Sequence, residues 1–205
     1  KPAPNSFMLD LACGKGRHAI SLSKMGFHVT GLDISEKNIH AAEKFQTKNL
    51  EFYIHDMRNP YMVNYFDYVF NLFTSLGYFD NQRENQQVIT NIYNALKPGG
   101  IFVLDFVNIR KAAENLSEHE EKTIEGINFK VHRSIKDDFL IKDIRIIDGQ
   151  QQFDYEEKVY MFTPLLLKFA MDKLGFTIIN TFGDYKLSTF DPDNSDRFIL
   201  IAKKK

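Results

Sequence analysis

The sequence contains one cysteine, Cys13, among 205 residues. With no second thiol, the chain forms no internal disulfide framework and no cysteine-based zinc cluster. No apolar run approaches the roughly 18 residues of a membrane-spanning helix. The first residues, Lys1-Pro-Ala-Pro4, also lack the apolar core of a signal peptide. We therefore expect a cytoplasmic protein without a membrane segment.

The chain has almost no net charge, because 26 lysine and arginine residues oppose 27 aspartate and glutamate residues. Nucleic-acid-binding domains normally carry a basic face, so the balance argues against a nucleic-acid partner. The final Lys203-Lys-Lys205 is typical of a solubilising tail. The length and the 43% hydrophobic content predict one globular domain, residues 1–205.

A strand, a glycine turn and a helix are predicted near the beginning. Phe7 to Ala12 is an apolar run, Gly14 and Gly16 interrupt it, and Arg17 to Met25 has helical spacing. Glycine allows a sharp bend and lets a ligand approach the main chain. The start of the helix adds unpaired N–H groups at the same place. This pattern predicts a nucleotide site, although Ala19 replaces the third glycine of the dinucleotide fingerprint.

Two further acids follow short apolar runs. Asp33 ends the predicted second strand, where the returning strand of a β-α-β unit places a carboxylate that accepts ribose hydroxyls. Asp56 follows the predicted third strand and can accept a hydrogen bond from an adenine amine. Together with the glycine turn, these acids indicate an adenosine-containing ligand.

Four strings carry a resemblance: Asp10-Leu-Ala-Cys-Gly-Lys-Gly-Arg-His18, Gly31-Leu-Asp-Ile-Ser35, His55-Asp-Met-Arg58 and Leu96-Lys-Pro-Gly-Gly100. In this order and spacing, the chain resembles class I S-adenosylmethionine-dependent methyltransferases over nearly its whole length. The resemblance implies which residues contact each part of the cofactor. The methionine end would lie against Asp10, Ala12, Cys13, Gly14, Gly16 and Arg17, and the ribose against Asp33 and Ile34. The adenine would lie against Asp56 and Met57, and the amino group and sulfonium against Asn71, Leu72 and Phe73. Relatives normally carry one or two helices before the first strand. The short lead-in Lys1 to Ser6, predicted to be extended, therefore leaves the cover of the cofactor in question.

The rest of the chain predicts an α/β fold. The resemblance implies a Rossmann-like seven-stranded sheet in the order 3-2-1-4-5-7-6, with strand 7 antiparallel. Helices are predicted over Glu36 to Phe45, Asn81 to Leu96 and from Thr163 to Gly175, and a closing hairpin over Phe176 to Phe182 and Arg197 to Ala202. Period-two alternation over Ile127 to Met161 predicts an inserted three-stranded antiparallel meander. This insert is predicted to form a substrate roof or a dimer contact.

The resemblance implies direct displacement of a methyl group from S-adenosylmethionine to an N, O or S atom of a small molecule. Predicted substrate contacts are Tyr78, Phe106, Asn108 and Tyr155, and Tyr78, Asp105 and Tyr155 are candidate bases for an acceptor that must lose a proton. Cys13 is predicted to pack rather than react, His18 and His55 to be structural, and no metal is expected. Two alternatives are an NAD-type dehydrogenase and a non-catalytic cofactor-binding module. The chain is expected to be a monomer or a homodimer, and the acceptor has no recognisable signature.

Overall fold

The computed structural model describes residues 2–114 and 116–205. The helices are α1 (Arg17–Lys24), α2 (Glu36–Ala42), α3 (Gln82–Ala95), α4 (Ile109–Glu114) and α5 (Pro164–Leu174). The strands are β1 (Phe7–Leu11), β2 (His28–Asp33), β3 (Leu50–Ile54), β4 (Phe66–Asn71), β5 (Leu96–Val107), β6 (His119–Ile124), β7 (Ile127–Lys136), β8 (Phe139–Asp148), β9 (Gln151–Tyr160), β10 (Phe176–Phe182) and β11 (Arg197–Lys204). Among these described residues, no helix is both long and apolar enough to cross a membrane.

Seven strands form the main sheet, in the order β3-β2-β1-β4-β5-β11-β10. β1 to β5 pair in parallel, whereas β11 runs antiparallel to both β5 and β10. The predicted order and the antiparallel last strand are therefore confirmed. Because β1 and β4 are neighbours that connect in opposite directions, a crevice opens at the carboxyl ends of these central strands.

Two apolar clusters pack helices against the main sheet. The smaller cluster includes Met8, Ala19 and Ile39, through which α1 and α2 contact the sheet. Phe52 of β3 belongs to this cluster and lies directly beneath the glycine turn, because a Cβ on Gly16 would come within 2.5 Å of its ring. Gly16 also has a φ of 77°, so both space and backbone conformation require glycine there.

A second, antiparallel sheet contains β6, β7, β8 and β9 in sequence order. It has one strand more than the three predicted, because β6 joins β7 through a turn at Glu125 and Gly126. Its sequence, His119-Glu-Glu-Lys-Thr-Ile124, has too little apolar alternation to indicate a strand. Pairing with β7 compensates for this weak local preference.

The end of the second sheet that lies nearest the main sheet packs into the main core. Phe139, Val159 and Tyr160 are buried in the larger apolar cluster, and the Tyr160 N–H donates to the Gly77 carbonyl at 2.7 Å. Lys158 also forms an ion pair with Asp80 at 2.8 Å. The sheet is thereby fixed to the segment between β4 and α3, which lines the crevice.

Three local predictions were wrong. Lys204 is buried in β11, where its ammonium donates to Asn64 Oδ1 and to the carbonyls of Tyr93 and Leu96, so the lysine end is not simply a solubilising tail. The helix predicted over Glu36 to Phe45 ends at Ala42, and Phe45 lies in a short 3₁₀ turn with its side chain exposed. The lead-in is not extended, because a turn at Pro4 and Asn5 precedes β1, while Lys1 lies outside the described residues.

Candidate functional site

The glycine turn lies between β1 and α1 at the carboxyl edge of the sheet. Ala12, Gly14 and Gly16 all have positive φ angles, of 61°, 57° and 77°. The Cys13 N–H donates to the Leu32 carbonyl at 2.9 Å, which joins the turn to the end of β2. A Cβ on Gly14 would meet no atom within 4 Å, so this glycine borders open space. The turn thus presents bare main chain to the crevice.

Asp33 connects the turn to the end of β2. Its Oδ2 accepts the Gly14 N–H and its Oδ1 accepts the Ser35 N–H, both at 2.8 Å. A carboxylate has about four acceptor positions, so two stay available to a ligand. Asp33 lines a cavity of about 280 Å³ together with other residues of this edge: Leu11, Ala12, Ile34, His55, Asp56, Met57, Ser75, Tyr78 and Phe79.

Asp56 is fixed at the far end of this cavity. Arg58 donates Nε and Nη2 to its carboxylate, at 3.1 and 2.6 Å, and Nη1 to Glu84 at 2.8 Å. These hydrogen bonds hold the pKa of Asp56 below its usual value. The Arg58 guanidinium also lies 4.9 Å from the Phe79 ring centre. Asp56 is therefore an ionised acceptor with a fixed orientation.

A second cavity, of about 240 Å³, adjoins the first through the shared residues Ala12 and Ser75. Its walls come from the glycine turn, from the start of α1 and from the segment after β4: Asp10, Cys13, Gly14, Lys15, Arg17, His18, Leu72 and Phe73. The two cavities form one elongated cleft over the carboxyl ends of β1, β2 and β4. We call them the Asp56 cavity and the Asp10 cavity.

Asp10 is the one acid among the described residues that line the Asp10 cavity. Its side chain is almost completely buried, and its Oδ2 accepts the Ala19 N–H of α1 at 3.2 Å. Burial raises the pKa of Asp10 to about 6. Burial also raises the pKa of the neighbouring Cys13 thiol, which opposes a nucleophilic role and agrees with the packing prediction.

The sequence profile of the family described as methyltransferase domain matches residues 3–160. The chain belongs to the class I S-adenosylmethionine-dependent methyltransferase family. It is 29% identical over 212 residues to a glycine/sarcosine N-methyltransferase of Aphanothece halophytica, covering 96% of this chain and 76% of that protein. It is 27% identical over 183 residues to a Geobacillus sp. (strain WCH70) chain named as a methyltransferase, covering 87% of this chain and 63% of the relative.

The fold comparison agrees with the family. An S-adenosylmethionine-dependent methyltransferase from Clostridium acetobutylicum ATCC 824 has a TM-score of 0.86, with 20% identity, over 98% of this chain and 84% of that one. This likeness concerns the fold. The chain spans less than two thirds of the length of the Geobacillus relative.

The described residues fit the family's cofactor. Asp33 and Asp56 offer anionic acceptors in the Asp56 cavity, and Asp10 supplies a carboxyl group in the Asp10 cavity. Asn71, fully buried at the end of β4, donates Nδ2 to the Leu11 carbonyl, whereas its Oδ1 has no partner among the described residues. Because Asn71 lines neither cavity, the fit rests on the three acids rather than on this side chain.

The structure separates the predicted substrate residues. Tyr78 lines the Asp56 cavity, and burial followed by the charge of Glu157 raises its pKa, which disfavours a role as base. Phe106 is fully buried and packs against Phe162, so it is core. Asn108 donates to the carbonyls of Pro192 and Ser195 and holds the loop before β11. The prediction that Phe106 and Asn108 contact the substrate was therefore wrong.

Tyr155 is also displaced from the cleft. It lies in the distal half of β9, opposite Ile144, and lines a separate polar cavity on the second sheet. That cavity shares no residue with the cleft. Tyr155 therefore lacks the position of a base in this structure, because a base must reach the reacting proton directly or through one water.

Two residues had no sequence signal, although they contact Phe73 and Thr74 in the segment behind the Asp10 cavity. Tyr185 lies in the loop after β10 and Arg197 begins β11, and both donate to the Asp105 carboxylate, at 3.0 and 2.7 Å. The Phe73 N–H donates to the same carboxylate at 3.0 Å. Asp105 is therefore occupied by three donors rather than poised as a free base. These partners are 32 to 92 residues apart in sequence, so no local motif reveals them.

Proposed function

We propose that the chain is an S-adenosylmethionine-dependent methyltransferase that acts on a small molecule. The observation that carries the proposal is the single cleft in which Asp33, Asp56 and Asp10 lie beside the glycine turn. We assign the Asp56 cavity to the adenosine part of the cofactor and the Asp10 cavity to its methionine part. The family match over residues 3–160 supports S-adenosylmethionine as the cofactor.

The bound cofactor supplies an electrophilic methyl group on a positively charged sulfonium. The chain must hold an acceptor in line with that methyl, and orientation of this kind contributes roughly 7–11 kcal/mol to rate enhancement. Asp33 and Asp56 bind and orient, while Asp10 contributes negative charge once it is ionised. This assignment requires no nucleophile and no metal from the cleft. The described residues include no cluster able to hold a metal ion.

Small-molecule acceptors are supported by the relatives. The Aphanothece protein is named for glycine and sarcosine, which are both small amines. An amine that enters the cleft in its neutral form has already lost its proton to solvent and attacks without a base, and this suits a cleft whose candidate bases are occupied, displaced or raised in pKa. We therefore propose an amine nitrogen as the acceptor atom.

The two alternatives find less support. An NAD-type dehydrogenase sheet lacks the antiparallel β10–β11 pair that closes this one. A non-catalytic module would be favoured by a crevice filled with its own aromatic side chains, whereas the two cavities here are open, with volumes of about 280 and 240 Å³.

The direct test is methyl transfer from methyl-labelled S-adenosylmethionine to a panel of small molecules that begins with glycine and sarcosine. The panel should also contain matched alcohols and thiols. We expect labelled product from an amine and none from its alcohol or thiol counterpart. Label transfer to alcohols alone would overturn the amine proposal, and no transfer to any member, despite tight cofactor binding, would favour the non-catalytic module.

A further inference from the structure

The segment after β4 has an unusual backbone. Phe73 and Thr74 have φ angles of 58° and 62°, although neither is glycine. A Cβ disfavours this left-handed region, and two such residues in succession persist only when surrounding contacts impose the conformation. The Phe73 ring is also 47% exposed and lines the Asp10 cavity, so its position is not explained by core packing.

Asp105 makes the contacts that impose this backbone. Its Oδ2 accepts the Phe73 N–H at 3.0 Å, and its main-chain carbonyl accepts the Thr74 N–H at 2.9 Å. The Thr74 hydroxyl accepts the Val107 N–H at 2.9 Å. Both left-handed residues are therefore joined to the end of β5.

Asp105 is itself held from two other elements. Arg197 donates Nε to Oδ1 at 2.7 Å and Nη2 to the Thr74 hydroxyl at 3.1 Å, while Tyr185 donates its hydroxyl to Oδ2 at 3.0 Å. Asp105 is only 2% exposed. Its carboxylate lines neither cavity of the cleft, which leaves it no path to an acceptor.

The Phe73 ring transmits this arrangement to the cleft. It stacks on His18 with ring centres 5.2 Å apart, and the Arg17 guanidinium lies 4.2 Å from its centre. Tyr185 borders the ring at 5.9 Å. The wall of the Asp10 cavity thus depends on a ring whose backbone is fixed by a carboxylate 32 residues later.

We propose that Asp105, fixed by Arg197 and Tyr185, is a positioning residue that holds Phe73 as the wall of the Asp10 cavity. The part of this inference that concerns the cofactor rests on the proposed function. The part that concerns the backbone does not, because it is a property of the free protein. The two parts are therefore measured separately.

The backbone part is tested by amide hydrogen exchange of the free protein, followed by NMR at Phe73, with Val69 of β4 as the internal reference for global opening. In Asp105→Ala we expect Phe73 to exchange at least tenfold faster relative to Val69. Asp105→Asn keeps one acceptor oxygen but turns an amide NH₂ toward either Arg197 Nε or the Phe73 N–H, so we expect an intermediate acceleration, smaller than that of Asp105→Ala. Unchanged Phe73 exchange, or equal acceleration at both amides, would overturn the proposal.

A milder variant keeps the test usable if Asp105→Ala does not fold. Tyr185→Phe removes one donor to Asp105 at a residue that is 61% exposed. We expect Phe73 to exchange about threefold faster relative to Val69. Arg110→Lys is the matched control, since its ion pair with Asp193 lies on the surface, and it should leave the ratio unchanged. An equal effect of both variants would overturn the proposal.

The cofactor part is tested by calorimetric titration with S-adenosylhomocysteine. We expect Asp105→Ala to bind at least tenfold more weakly than the wild type and Asp105→Asn to bind with an affinity between the two. Equal binding by all three would contradict the role of Phe73 as a ligand wall. Absence of binding by the wild type itself would overturn the proposed function, while the exchange result would still decide the positioning role.

Discussion

Asp10 illustrates how one buried carboxyl group constrains the site. Burial raises its pKa to about 6 from an ordinary value of 3.8, although the Ala19 N–H partly opposes this rise. The folded state therefore binds the proton of Asp10 more tightly than the unfolded chain does. A positively charged ligand in the Asp10 cavity would favour the ionised form.

Asp10→Asn should change how stability depends on pH. Because the folded pKa is raised, the contribution of Asp10 is fully present below about pH 4 and is lost as the pH rises through about 6. Asparagine does not ionise but can still accept the Ala19 N–H. We expect the variant to gain on the order of 2–3 kcal/mol relative to the wild type between pH 4 and 7. Urea unfolding at several pH values measures this, and a pH-independent difference would contradict the assignment.

Asp33→Ala should weaken S-adenosylhomocysteine binding at least 100-fold, because two charge-assisted hydrogen bonds of roughly 1.5–3 kcal/mol each would be lost. The neighbouring Glu36→Ala is the matched control, since Glu36 is exposed at the start of α2 and lines neither cavity. Calorimetric titration compares the two variants. Unchanged affinity in Asp33→Ala would mean that the ribose binds elsewhere.

Residues near the motifs were predictable, and residues brought in by the fold were not. Asp33 and Asp56 follow short strands whose ends meet at one edge, so their place beside the glycine turn follows from the pattern. Phe106 was misjudged because the period of two along β5 directs it into the core. Tyr185 and Arg197 reach the site only through the antiparallel return of β11.

At the scale of elements, Lys204 shows how a strand completes a helix. Its ammonium reaches the carbonyls of Tyr93 and Leu96 at the end of α3, each at 2.8 Å, where helical carbonyls lack partners. The Tyr93 ring also lies 4.5 Å from the Lys204 ammonium. No glycine is needed to end α3, because β11 supplies a donor.

Lys204→Met should lower the free energy of unfolding by about 2–4 kcal/mol, since it leaves buried carbonyl groups without their donor. Lys203→Met is the control, because Lys203 is exposed on the same strand. We expect the control to change stability by less than about 0.5 kcal/mol. Urea unfolding measures both, and equal losses would show that the position of the ammonium is unimportant.

The second sheet was recognisable from its alternation, but the packing of its near end into the main core was not. Phe139 and Tyr160 pack into the main core, so removal of Ile127 to Met161 would damage the fold as well as the insert. The role of the insert as a substrate roof or a dimer contact stays a prediction. A deletion that tests it must spare these residues.

Replacement of Arg145–Asp154 by Asn-Gly should shorten the β8–β9 hairpin without loss of the fold. Ile144 and Tyr155 are paired and can be joined by a two-residue turn, which Asn-Gly favours. We expect S-adenosylhomocysteine affinity within threefold of the wild type, and light scattering would show whether a dimer is lost. A tenfold loss of affinity would show that the distal hairpin supports the cleft.

At the scale of the whole molecule, the sheet order was predictable because four motifs occur in the spacing of one family, and the structure confirms the order. The contacts around Asp105 were not predictable, because the elements that form them come from distant parts of the chain. Phe73, Tyr185 and Arg197 come from three such parts and meet around Asp105. These contacts are therefore a product of the assembled loops rather than of a motif.

Calorimetric titration of the purified chain with S-adenosylmethionine, S-adenosylhomocysteine and NAD in parallel distinguishes a methyltransferase cleft from a dehydrogenase site. We predict saturable 1:1 binding of the first two and no binding of NAD. Binding of NAD alone, or equal heats from all three, would contradict the assignment of the cleft formed by the Asp56 and Asp10 cavities.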